Sequence, residues 1–85
     1  MAKIGVPRII VLEVVRLLRE ERIHRGISMN RLAEKSGLSR AMVSYVERGI
    51  RNPTLDTLLR IATALDVDLW KLMRKADILS KKSTK

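Results

Sequence analysis

Three residues, Gly37-Leu38-Ser39, separate two segments that are each only eight or nine residues long, Met29 to Ser36 and Arg40 to Arg48. Ser28 stands before the first segment and Gly37 after it; Ser39 stands before the second and Gly49 after it. A serine in front of a helix accepts from the exposed N–H groups of its first turn. A glycine behind it adopts the left-handed conformation that closes the last turn. Both segments therefore read as short helices. With so little chain between them they must cross steeply and share a very small interface. Ala33 then faces the crossing, where a larger side chain would push the helices apart, while Leu32, Leu38, Val43 and Val46 point into a core and hold the angle.

Glycine, proline and cap residues divide the rest of the chain in the same way. Pro7 suits the first turn of a helix over Arg8 to Arg25, with Val11, Val14, Val15, Leu18 and Arg22 along one face, and Gly26 stops it. The run Ile9 to Val15 is rich in β-branched residues and reads almost as well as a strand. Its continuation through Leu17 to Glu21 favours helix throughout. Pro53 and Thr54 open a fourth helix that places Leu55, Leu58, Leu59, Ile61, Ala62 and Leu65 at helical spacing. Asp68 opens a fifth, from Leu69 to about Ala76, with Leu69, Leu72 and Met73 turned inward. The expected architecture is one all-α domain of five helices. At 85 residues it buries only about 60–65% of its unfolded surface. Without cysteine it has no disulfide and no thiolate metal site, and its core rests on Leu, Ile, Val and Ala.

The chain carries 18 Lys and Arg against 9 Asp and Glu, a formal charge of +9. Such an excess favours a polyanionic partner, nucleic acid or an anionic membrane surface, and composition does not choose between them. Residues 71–85 hold six basic groups and one acidic, so much of the excess is tail. The stretch Ile4 to Leu18 is interrupted by Arg8, Glu13 and Arg16; it is too short and too charged to span a bilayer. With no small-residue cleavage site after it, a cytoplasmic location is expected. His24 is the only histidine, no carboxylates cluster for a metal, and no catalytic or nucleotide-binding fingerprint occurs. No enzyme, no cofactor and no metal are expected.

The second helix of the closely joined pair presents Arg40, Ala41, Ser44, Tyr45 and Arg48 outward, without Asp or Glu, while Glu47 faces elsewhere. A helix that approaches phosphates must lack outward negative charge. From about Val14 to Met73 the chain resembles the Cro/repressor (XRE-like) helix-turn-helix family of bacterial and phage transcriptional regulators. The residues that carry the resemblance are Arg22, Ser28, Leu32-Ala33, Gly37-Leu38-Ser39, Val43, Val46-Glu47-Arg48-Gly49, Asn52-Pro53-Thr54-Leu55, Leu58, Ala62 and Leu65. The resemblance implies a lambda-repressor-like DNA-binding domain. Its second motif helix would lie in the major groove of double-stranded DNA, and dimers would bind palindromic half-sites about 34 Å apart. By position, Arg40, Ala41, Ser44 and Tyr45 would meet base edges. Ser39, Arg48, Arg51 and Asn52 would hold phosphates, which set register rather than sequence. Arg22 and Glu47 would form the family's buried ion pair. Met29 stands where the family usually has a glutamine that bonds a phosphate and braces the recognition helix, so that part of the docking differs.

These readings divide the chain into an N-terminal extension, residues 1–13, a helix-turn-helix DNA-binding domain, residues 14–76, and a basic disordered tail, residues 77–85. Ile4, Val6, Ile9, Ile10, Leu12, Val15 and Leu17 exceed what one small domain covers, and apolar patches of that size mark interfaces. A homodimer is expected, with the extension, Trp70 and the fifth helix in its contact. The expected function is a dimeric repressor acting by occupancy of its operator. The alternative is an antitoxin whose N-terminal apolar segment holds a toxin while its helix pair regulates their operon. A weaker third is a module that uses its charge non-specifically.

Overall fold

The computed structural model describes residues 5–83 and contains five helices. They are α1 (Gly5–His24), α2 (Met29–Ser36), α3 (Arg40–Glu47), α4 (Leu55–Ala64) and α5 (Leu69–Ser83). No strand occurs among the described residues, so the β-branched run in α1 is helical. Local signals set the inner boundaries. The side chains of Ser28, Ser39 and Thr54 accept from the backbone N–H groups of Arg31, Met42 and Thr57, capping α2, α3 and α4. Gly37 follows α2 at φ 73°, and a Cβ there would also sit 3.3 Å from the Arg60 guanidinium. After α4 the left-handed position is taken by Asp66, at φ 59°. Aspartate is one of the few non-glycine residues that visit this region readily.

Leu32, Val43, Val46 and Leu65 are completely enclosed. Around them Val14, Val15, Leu17 and Leu18 of α1, Leu58, Ile61 and Ala62 of α4, and Leu69 and Ala76 of α5 complete a single core. Ala33 is buried, as a close α2–α3 crossing needs. The two longest helices, α1 and α5, pack along one another, and the buried positions in the second half of α5 are the small residues Ala76 and Ser80.

The structure differs from the sequence reading at both ends. The boundary expected at residue 13 falls inside α1, which starts at Gly5 and runs on without a break. Pro7 lies in its first turn, where the missing N–H has no carbonyl to meet. Of the surplus apolar residues, Val15 and Leu17 are buried and Ile10 packs against the core; Ile9 and Leu12 stay exposed. Ile4 and the side chain of Val6 lie outside the described residues. At the other end, α5 continues seven residues past Ala76, so residues 77–83 of the expected disordered tail are helical. Ser80 is buried there, its hydroxyl donates to the Asp77 carbonyl, and Lys81 pairs with Asp77. Thr84 and Lys85, the end of that tail, lie outside the described residues.

Candidate nucleic-acid interface

α3 has two sides of opposite character. Val43 and Val46 anchor one side in the core. On the other, Arg40, Ala41 and Tyr45 are exposed and Ser44 is half-buried. Arg48, Arg51 and Asn52 extend the exposed face into the segment that follows, and Ser39 is exposed at its start. The structure thus brings all eight sequence-derived contact residues onto α3 and its two flanks. The Ser39 hydroxyl oxygen already accepts from the Met42 N–H at 3.0 Å, which leaves its own hydrogen to donate. The Arg51 guanidinium sits 5.4 Å from the centre of the Tyr45 ring, a cation–π contact that joins the flank to the helix face.

The negative charge of α3 is turned away from this face. Glu47 accepts from Arg22 through both oxygens, Nε to Oε2 at 2.7 Å and Nη2 to Oε1 at 3.0 Å. Arg22 also donates through Nη1 to the Ile27 carbonyl at 2.7 Å, so one guanidinium joins α1, the α1–α2 connection and α3. Both side chains are withdrawn from solvent, with 10% and 6% of their surfaces exposed, and Arg19 approaches Glu47 to 3.8 Å. This carboxylate is fully engaged with cations, and the outward surface keeps the charge of Arg40, Arg48 and Arg51. Met29 is half-buried against the core. The position that lacks the usual glutamine is filled by packing instead.

Sequence reasoning missed Arg8. Its Nη1 donates to the Asn52 Oδ1 and its Nη2 to the Gly49 carbonyl, both at 2.9 Å. One turn along, Leu12 lies under Gly49, where a Cβ would come within 3.3 Å of it. Arg8, Leu12, Val15, Arg19 and Arg22 recur at intervals of four and three residues, which is one face of a helix. That spacing was the available signal; the expected boundary at residue 13 cut through it. Among the described residues no group of His, Asp and Glu could hold a metal ion, and no helix is long and apolar enough to cross a membrane.

A helix-turn-helix family model matches residues 18–69 of the chain. An uncharacterised helix-turn-helix-type transcriptional regulator of Mycobacterium tuberculosis is 43% identical over 67 residues, 79% of this chain and 48% of that protein. The chain therefore spans about half the length of that curated relative. The control protein C.SmaI of Serratia marcescens is 41% identical over 58 residues, 68% of this chain and 69% of its own. Among solved structures, the restriction-modification controller protein C.AhdI from Aeromonas hydrophila superposes with a TM-score of 0.67 at 44% identity, covering 73% of this chain and 94% of that one. The wild-type controller C.Esp1396I gives a TM-score of 0.72 at 28% identity, covering 81% and 95%. With the motif pair, the ion pair beneath it and these matches together, the chain belongs to the Cro/repressor-type (XRE-like) helix-turn-helix family, a family of transcriptional regulators and not of enzymes.

Proposed function

We infer that this protein is a sequence-specific regulator that binds double-stranded DNA, with α3 in the major groove, and that it acts as a dimeric repressor on a palindromic operator. The observation that carries this reading is the inward turn of Glu47 onto Arg22, which leaves a face of arginine, alanine, serine and tyrosine with no outward carboxylate. Arg40 is placed to donate to the O6 and N7 of a guanine, and Ala41 to touch a thymine methyl. Ser44 and Tyr45 complete the base-reading set, while Ser39, Arg48, Arg51 and Asn52 hold phosphates. The similarity to proteins described as transcriptional regulators and restriction-modification controllers supports the regulatory role.

The dimeric reading has its own support. Leu55, Leu59, Trp70 and Met73 line one groove between α4 and α5 and are 59, 47, 60 and 42% exposed, a cluster too apolar to be left to water. The N-terminal segment gives less support to a separate protein partner such as a toxin, because much of its apolar surplus is packed into the domain.

Selection from a randomised duplex library, followed by titration of the selected sites across salt, tests the function. An enriched palindrome with half-sites about one turn apart is expected. Arg40→Ala should relax preference at one position by about 1–3 kcal/mol, and Tyr45→Ala should weaken the selected site more than random DNA. Binding without enrichment that falls steeply with salt would instead show charge acting alone.

A further inference from the structure

Asn52 is exposed in the segment after α3, forty-four residues from Arg8 in the chain. A carboxamide can present either its oxygen or its nitrogen to a neighbour, and which one it presents decides what remains for a ligand. Arginine carries only donors, so Asn52 must turn its oxygen toward Arg8, as the 2.9 Å contact shows. Its Nδ2, with two hydrogens, then points away from the guanidinium, and among the described residues nothing accepts from it. The other arm of Arg8 holds the Gly49 carbonyl, so one side chain grips both ends of the segment Gly49 to Asn52. Gly49 is at φ 72°, a conformation that favours glycine, and the Leu12 side chain lies close beside it.

We propose that Arg8 is a positioning residue for DNA binding: by holding the Asn52 oxygen and the Gly49 carbonyl, it presents the Asn52 Nδ2 as a donor to a backbone phosphate. The proposal rests on the DNA-binding reading above. A phosphate accepts and never donates in such a contact, so an unconstrained amide would have to give up its oxygen-out orientations on each encounter. Arg8 removes that choice before the DNA arrives, and preorganisation of this kind favours binding by lowering what must be ordered on contact. Arg8 thereby does for the exit from α3 what Arg22 does for its inner face, and both arginines stand on the same face of α1.

A double-mutant cycle on the full chain tests this, with a duplex selected by the wild-type protein as the probe. Arg8→Ala and Asn52→Ala should each weaken binding about tenfold, and the double variant should bind no worse than Asn52→Ala alone. In the DNA-free protein, the Asn52 side-chain amide resonances should move on Arg8→Ala, while the resonances of the core residues Leu32 and Val43 stay in place. A multiplicative loss in the double variant would mean that Arg8 touches DNA itself, and would overturn the proposal. Unchanged binding by Arg8→Ala would overturn it as well. If the wild-type protein enriches no duplex, the DNA reading fails and this proposal with it. That failure is distinct from unmoved Asn52 resonances in the free protein, which would remove the Arg8 contact alone.

Discussion

Glu47 is the only acidic residue of α3 and also the residue that hydrogen-bonds α3 to Arg22 of α1. Two jobs meet in one side chain: it keeps negative charge off the exposed face and neutralises a guanidinium that would otherwise be buried alone. Glu47→Ala leaves Arg22 without its partner and Arg19 close by, and should cost about 3–5 kcal/mol in chemical denaturation. Replacing both Arg22 and Glu47 by apolar residues of similar volume should cost much less, since no stranded charge remains. An equal loss in both would assign the effect to packing rather than charge. At this scale, legibility in the sequence followed distance along the chain. The caps at Ser28 and Ser39 act on groups three residues away and were readable from local chemistry. The partnership of Arg22 with Glu47 spans twenty-five residues and came through resemblance to a family. The contact of Arg8 with Asn52 spans forty-four residues with no such motif to mark it, and the sequence reading did not include it.

Among the elements, α5 departs furthest from its expected form. Its positions in or against the core run Leu69, Leu72, Ala76 and Ser80, so side-chain size falls along this helix, which packs on α1. A hydrophobic count sees this as the end of the apolar pattern, and the basic residues that follow look like solvated tail. The helix persists because small buried residues let two helices approach closely, and neither alanine nor serine announces that from sequence. Ala76→Leu should therefore overpack the α1–α5 contact and destabilise the fold by about 1–3 kcal/mol, measurable by thermal or urea unfolding. The same change at a solvent-facing position of α5, such as Lys75, should be nearly neutral. The opposite lesson comes from α2 and α3, whose bounds lie within one residue of those read from the sequence. There a serine, a glycine and a three-residue connection leave the chain few other ways to fold.

At the scale of the whole molecule, the exposed face of α3 and the apolar groove between α4 and α5 are formed by different residues on different helices. Trp70→Asp places a charge in that groove and should shift the protein to monomer in sedimentation equilibrium. Its secondary structure should be unchanged, because Trp70 contributes little to the core. Affinity for a full palindrome should fall far more than affinity for one half-site; a variant that stays dimeric would move the contact elsewhere on the surface. Because α1 is one unbroken helix of twenty residues, roughly 30 Å long, it reaches the α3 exit through Arg8, the α3 base through Arg22, and α5 along its length. Nothing in that path is a linker. Two such bodies joined through α5 would behave as a fixed caliper: one extra base pair between half-sites turns the second site by about 35° around the DNA axis. A rigid pair cannot follow that rotation, so spacing would be read as strictly as sequence.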